Sequence, residues 1–116
     1  MALDHVHRRI LVIFRAPAEL GVFSMTDGKP VATIDTCGDA DDLFIDPRRA
    51  RVYVSCGAGF LDVLEAKEAT YRRIARIPTV SGARTSLFIP EMDRLVVAVR
   101  ASSREAAAIW VYRPMP

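Results

Sequence analysis

Apolar and polar residues alternate along the chain in short runs, and turn residues such as Gly28, Gly38 and Pro47 separate the runs. A period of two places successive side chains on opposite faces, which is typical of a half-buried strand. The runs are also rich in β-branched and aromatic residues, as strands are. The predicted strands are Arg9–Phe14, Leu20–Ser24, Val31–Ile34, Leu43–Ile45, Arg51–Ser55, Phe60–Leu64, Tyr71–Ile77, Ser86–Ile89, Arg94–Val99 and Ala107–Tyr112.

Two segments also allow a helix, Leu61–Glu68 and Arg104–Ala108. The second is too short for a helix that is stable alone. For the first we favour a strand followed by a turn, because an internal repeat requires it.

The repeat consists of four segments that each recur after 42 to 48 residues. A period of this size with about four strands per unit is typical of a β-propeller blade. The alternative is a β-sandwich with chance similarity between its strands. The recurring pairs are Asp4–Val12 with Asp46–Val54 (offset 42), Val31–Thr36 with Ile74–Thr79 (43), Leu43–Ile45 with Leu87–Ile89 (44) and Leu61–Leu64 with Ile109–Tyr112 (48).

The sequence therefore predicts an all-β fold, a β-propeller fragment of about three blades in one domain that spans residues 1–116. The blades fall at about residues 1–36, 37–79 and 80–116. We expect two four-stranded antiparallel sheets and a last blade with three strands, about eleven strands in all, with almost no helix. The third strand of that last blade, Ile109–Tyr112, is expected to be an exposed edge.

The repeat contains motifs that resemble a known family. The segment Val52-Tyr-Val-Ser-Cys-Gly57 is similar to the Tyr-Val-Thr-Asn signature of the YVTN/YncE-like β-propellers. Further segments resemble the C-terminal part of bacterial members, namely Gly38–Asp46, Gly59–Val63, Gly82–Ser86 and Ile109–Tyr112. The resemblance covers nearly the whole chain and implies a propeller with several more blades, often in an exported protein.

The composition excludes several classes of protein but indicates no activity. The chain is 51% hydrophobic and 26% charged, which is typical of a globular domain rather than a disordered one. The net charge of +2 is too small to indicate a nucleic-acid partner. No apolar run approaches the roughly 18 residues of a membrane span. The N-terminus has no signal-peptide pattern, so we expect a cytoplasmic protein as the chain stands, and a periplasmic or secreted one if it belongs to an exported family member.

An arc of about three blades cannot close, because a propeller ring needs about four to eight. Repeat units bury their apolar faces only against neighbouring units. We therefore expect a homo-oligomer or a complex with another propeller portion, with two copies completing a six-bladed ring.

The loops at one end of the predicted strands gather polar residues at one rim. We expect Asp39, Asp41, Asp42 and Arg84 to lie there as a candidate ligand-binding cluster, together with Arg15, Arg100 and Arg104. Carboxylates on a loop can bind Ca²⁺ or another divalent cation, but the favoured interpretation is loop caps, with no cofactor and no metal ligands assigned. A third interpretation pairs Asp42 with Arg84 between neighbouring blades.

His5 and His7 are the two histidines, and they fall in a turn on the opposite rim. A metal-binding pair is conceivable there, but a solvated turn is favoured. No Ser-His-Asp arrangement can be assembled from these positions, so we assign no catalytic residues.

Cys37 and Cys56 are expected at the same end of one predicted hairpin. If the protein is exported, their α-carbons should lie within about 7 Å, close enough for a disulfide. Without a signal peptide, two free thiols are favoured.

Two functions follow from these observations. The favoured one is a non-enzymatic β-propeller segment that acts as a binding and interaction scaffold. The alternative is a metal-dependent, lactonase-type hydrolase of the propeller class, which depends on fold analogy and on the three clustered aspartates.

Overall fold

The computed structural model describes residues 1–68 and 70–116 and confirms an all-β fold. Strands make up 59% of the chain and helix 3%, so the expectation of almost no helix is confirmed. A short 3-10 turn spans Pro90–Met92. The strands are β1 (Ala2–Asp4), β2 (Arg9–Arg15), β3 (Ala18–Ser24), β4 (Pro30–Asp35), β5 (Ala40–Asp46), β6 (Arg51–Cys56), β7 (Phe60–Lys67), β8 (Thr70–Pro78), β9 (Ser86–Ile89), β10 (Arg94–Val99) and β11 (Ala108–Tyr112).

These strands form three antiparallel sheets in chain order. Sheet 1 contains β1 to β4, sheet 2 contains β5 to β8, and sheet 3 contains β9 to β11, each strand pairing with its neighbours in sequence. The predicted sheets of four, four and three strands are thus confirmed. The segment Leu61–Glu68 is a strand that ends at Lys67 and is followed by a turn, as the repeat required.

The first hairpin of each sheet has the same geometry. An arginine opens the second strand in all three sheets, and the residue before it adopts the left-handed backbone conformation, which non-glycine residues rarely do. These left-handed residues are Arg8 (φ 57°), Ala50 (φ 52°) and Asp93 (φ 54°). In each hairpin this arginine pairs with the last residue of the first strand. The pairs are Arg9 with Asp4, Arg51 with Asp46 and Arg94 with Ile89.

One predicted offset is wrong by a single residue. Phe88 pairs with Leu95, as Ile45 pairs with Val52, so β9 follows β5 after 43 residues rather than 44. A shift of one residue moves every side chain to the other face of a strand. Accordingly Phe88 is buried, whereas Leu87 is 52% exposed.

Each sheet has a rear face and a front face, defined by alternate positions of its second strand. The rear faces carry Ile10 and Val12 in sheet 1, Val52 and Val54 in sheet 2, and Leu95 and Val97 in sheet 3. The front faces carry Leu11 in sheet 1, Tyr53 in sheet 2 and Val96 in sheet 3.

The sheets stack front to rear. Leu11, Leu20 and Val22 on the front of sheet 1 share one buried cluster with Val52 and Val54 on the rear of sheet 2. In the second junction, the front of sheet 2 packs against the rear of sheet 3, where Tyr53 and Leu61 meet Phe88 and Leu95. Burying apolar area in this way contributes roughly 25 cal/mol per Å².

The first junction also contains a buried carboxylate. Asp4 accepts a hydrogen bond from the Tyr71 hydroxyl on sheet 2 at 2.6 Å and lies 2.8 Å from His7 Nδ1. Burial alone would raise the pKa of Asp4, but the hydrogen bonds from Tyr71 and His7 outweigh it, so the pKa lies below its usual value. Asp4 therefore stays ionised inside the junction.

In residues 1–68 and 70–116, no helix is long and apolar enough to cross a membrane.

This pKa shift predicts a pH dependence. Because folding lowers the pKa of Asp4, its contribution to stability is present above the unfolded pKa of about 3.9 and is lost as the pH falls through the lower folded pKa. Replacing the hydroxyl donor, Tyr71→Phe, should lower the free energy of unfolding by about 1.5–3 kcal/mol at pH 7. It should also flatten the decline of stability below about pH 4.

Denaturant unfolding at pH 7 and at acid pH measures both effects. Tyr112→Phe is the matched control, because Tyr112 lies in sheet 3 and its hydroxyl makes no hydrogen bond among the described residues. An equal loss of stability at both pH values in Tyr71→Phe would show that the hydroxyl does not act through Asp4.

Candidate functional site

Four of the residues expected at the rim form one ionic cluster, which links sheets 1 and 2 with the loop that leads into sheet 3. Arg84, in the loop before β9, donates to Oδ2 of Asp39 through Nε at 3.0 Å and through Nη2 at 2.6 Å. Arg15, at the end of β2, lies 3.5 Å from the other oxygen of Asp39 and donates to Asp41 at 2.7 Å. Arg15 also donates to the Ala40 carbonyl at 3.0 Å. One carboxylate thus lies between a guanidinium from sheet 1 and another from the loop that leads into sheet 3.

A glycine makes room for this ion pair. A Cβ on Gly57 would lie 2.0 Å from Oδ2 of Asp39 and 2.8 Å from Nε of Arg84. The Gly57 N–H also donates to the Asp39 carbonyl at 2.7 Å. The Asp39–Arg84 pair therefore lies directly against the backbone of Gly57, in the space that a side chain would occupy.

Asp42 binds a backbone group of the next sheet rather than an arginine. It accepts the backbone N–H of Ser86 at 2.8 Å and so holds the start of β9. The Ser55 hydroxyl supports the same junction, since it lies 2.7 Å from the Arg84 carbonyl and 2.7 Å from the Ser86 hydroxyl. The third interpretation, an Asp42–Arg84 pair, is wrong, because the guanidinium of Arg84 reaches Asp39 instead.

The other predicted rim arginines do not join the cluster. The Arg100 guanidinium lies over Gly82, where a Cβ would be 2.8 Å from its Nε. Arg104 is exposed in the loop between β10 and β11. The cluster consequently consists of Arg15, Asp39, Asp41 and Arg84, with Asp42 beside it, and its use for ligand binding stays a prediction.

Sequence reasoning missed a second carboxylate, Asp62, which is fully buried within β7. It accepts two hydrogen bonds from Arg76, at 2.7 and 2.9 Å, and one from the backbone N–H of Cys37 at 2.8 Å. The hydrogen bonds that Arg76 donates to Asp62 raise the pKa of Arg76. The available signal was a single carboxylate inside the apolar run Phe60–Leu64.

A third ionic group at the other end of the sheets was also missed. Arg49 donates to Asp46 at 3.0 Å and to both oxygens of Asp93, at 2.6 and 2.7 Å. The hydrogen bonds that Arg49 donates raise its pKa above the usual value, and those to Asp93 have the larger effect. Asp46 further accepts the Tyr53 hydroxyl at 2.7 Å. This group joins the first hairpins of sheets 2 and 3.

The histidines lie in the turn between β1 and β2, as expected. His5 is exposed, while His7 contacts Asp4 and belongs to the first junction. Among the residues that the structure describes, no three His, Cys, Asp or Glu side chains converge to hold a metal ion. The use of Asp39, Asp41 and Asp42 for a divalent cation stays the alternative to loop caps, and two of the three carboxylates, Asp39 and Asp41, are bound to arginine.

Cys37 and Cys56 form a disulfide, with α-carbons 5.9 Å apart. Their predicted proximity is confirmed, and the expectation of two free thiols is wrong for this structure. The hairpin of β5 and β6 brings both residues to one end of sheet 2, since Ala40 pairs with Cys56. The bond ties the loop before β5 to the end of β6.

Comparisons with known proteins add no assignment. The chain matches no protein-family model, and a search of curated proteins finds no match.

The contact between Asp39 and Gly57 predicts a non-additive pair of substitutions. Gly57→Ala should lower the free energy of unfolding by about 1–3 kcal/mol, because its methyl group must displace the Asp39 carboxylate. In the Asp39→Ala background the same substitution should cost much less, since the displaced group is absent.

Denaturant unfolding of the two single variants and the double variant measures this coupling. Gly38→Ala is a control, because a Cβ there meets its nearest atom, Ala58 Cβ, at an ordinary 3.7 Å. Strictly additive costs would contradict the arrangement of Asp39 over Gly57.

Proposed function

We propose that this chain is a portion of a β-propeller of the YVTN/YncE-like kind and acts as a non-enzymatic interaction scaffold. In this proposal its two end sheets pack against further propeller sheets and complete a ring, with a second copy of the chain or another propeller portion as the partner.

The observation that carries the proposal is the exposure of interface positions on the end sheets. Pairing register makes Ile109 on the front of sheet 3 the counterpart of Leu20 and Leu61. Leu20 is 0% and Leu61 is 2% exposed in the two junctions, whereas Ile109 is 64% exposed. A side chain that is buried in each equivalent sheet but bare in the last one indicates a missing neighbour.

The rear of sheet 1 supports the same interpretation. Phe14 corresponds to Cys56 on the rear of sheet 2 and to Val99 on the rear of sheet 3. Cys56 is 0% and Val99 is 5% exposed, but Phe14 is 39% exposed. The chain therefore offers a bare rear face at one end and a bare front face at the other, the two halves of the junction that it uses twice internally.

The polar groups support a scaffold more than a catalyst. Asp39, Asp62 and Asp46 each accept hydrogen bonds from an arginine, and Asp42 accepts one from a backbone N–H. These bonds hold loops, strands and neighbouring sheets together. Side chains committed in this way stabilise the junctions and leave the apolar end faces as the main surfaces for binding.

Light scattering on the purified chain tests the proposal with a second copy as partner. The wild type should have twice the chain mass at micromolar concentration, because two arcs of three sheets supply the six sheets of a closed ring. Ile109→Glu and Phe14→Glu should each shift the mass toward that of one chain, since each places a charge in the seam.

Val6→Glu is the matched control, because Val6 is 75% exposed in a turn and outside the end faces. It should leave the mass unchanged. A wild type that remains a single chain, unfolds cooperatively and keeps its stability in both end-face variants would refute ring completion through these faces.

A further inference from the structure

Among the described residues, sheet 3 has three strands where the other two sheets have four. In sheets 1 and 2 the third strand pairs on its outer side with β4 and with β8. The corresponding strand of sheet 3 is β11, which pairs with β10 and, within the described residues, has no partner on its other side.

The backbone groups of β11 on this open side can be assigned from the pairing. Ala98 donates its N–H to the Thr85 carbonyl, toward β9, so the Ala98–Ile109 pair is a non-hydrogen-bonded pair between β10 and β11. Bonding groups alternate along an antiparallel strand. The N–H and C=O groups of Ile109 and Val111 therefore point outward, ready for another strand.

A cavity of about 250 Å³ lies beside this edge. Val63, Ile74 and Ile77 line it from sheet 2, and Leu95 and Tyr112 line it from sheet 3. In the first junction the outermost strand of sheet 2, β8, reaches across with Tyr71 to contact sheet 1. Sheet 3 has no such strand among the described residues, so the apolar side chains of β8 that face it remain open, and Ile74 is 43% exposed.

The charged side chains that line the cavity are arginines. They are Arg51 and Arg113, and no carboxylate is among the described residues that line it. Arg51 already donates to backbone carbonyls, those of Met115 and, at 3.2 Å, of Pro116. The two arginines of this cavity therefore favour a ligand that presents oxygen acceptors and negative charge.

We propose that the open edge of β11 and the adjoining cavity form a groove that accepts an extended peptide as the fourth strand of sheet 3. The peptide has apolar side chains at alternate positions, which enter the cavity, and a carboxylate at the end that lies beside Tyr112, where Arg51 and Arg113 line the cavity. This is strand addition, in which backbone hydrogen bonds give affinity and pockets for alternate side chains give specificity. The groove lies along the outer edge of sheet 3, so it does not depend on whether the end faces close a ring.

A labelled synthetic peptide tests this directly. The probe EVTITVE places its three apolar residues on one face of a strand, and fluorescence anisotropy should show saturable binding to the intact chain below about 1 mM. The scrambled peptide ETTVIVE and the charge-reversed peptide KVTITVK should each bind about tenfold more weakly or worse, because each lacks one of the two features.

Substitutions in the chain test the same groove. Val111→Pro removes an N–H that points outward and spares the bonds between β10 and β11, and proline is tolerated on edge strands. It should weaken EVTITVE binding by about tenfold or more. Val111→Thr restores the N–H and should bind within about twofold of the wild type. Arg51→Gln should weaken binding of EVTITVE and leave that of KVTITVK unchanged or stronger.

Three results would overturn the proposal. They are an absence of saturable EVTITVE binding to the wild-type chain, equal binding of EVTITVE and the scrambled peptide, and unchanged binding in a folded Val111→Pro variant. Phe14→Glu separates this proposal from ring completion, because it should abolish self-association and leave peptide binding intact.

Discussion

The structure depends on one packing constraint, which is that each sheet must cover two apolar faces. The strand β6 demonstrates it, since every residue from Val52 to Cys56 is buried. Alternate side chains of this strand enter different junctions, Val52 and Val54 toward sheet 1 and Tyr53 toward sheet 3. A sheet of this kind is stable when it lies between two others, so the fold extends by adding sheets and leaves uncovered faces wherever the addition stops.

Polar groups fix how the sheets stack. Apolar packing is tolerant of small shifts, whereas buried carboxylates require donors at defined positions. Asp4 accepts a hydrogen bond from a hydroxyl of the next sheet, and Asp42 accepts one from a backbone N–H at the start of β9. Asp39 forms ion pairs with guanidinium groups on both sides. Each bond crosses from one sheet to the next or to the loop that leads into it. These three carboxylates thus contribute to the register between sheets.

Sequence reasoning succeeded where period and repeat decide the outcome. The two-residue period predicted ten of the strands, and the repeat implied β1, whose residues Ala2–Asp4 carry no strand pattern of their own. The repeat failed by one residue at β9, because Leu-Phe-Ile matches at an offset of 44 while the hairpin turn sets 43. Burial of Phe88 rather than Leu87 is decided by that turn.

Proximity of Cys37 and Cys56 followed from the hairpin, but the free-thiol expectation came from an argument about compartments and not from geometry. The choice of Asp39 over Asp42 as the partner of Arg84 depends on the space above Gly57, which no linear pattern contains.

In the proposed ring, the bare rear of sheet 1 and the bare front of sheet 3 are the two halves of one junction. Val22 and Val54, both fully buried, belong to the same cluster in the first junction. Their counterparts on the bare faces are Val111 and Val12. Two chains, one with Val12→Cys and one with Val111→Cys, should therefore form a disulfide when mixed and oxidised, and neither should do so alone. Mass spectrometry of the cross-linked peptides decides the outcome. A cross-link that joins the two introduced thiols supports the account, whereas cross-links between identical variants, or none in the mixture, would contradict it.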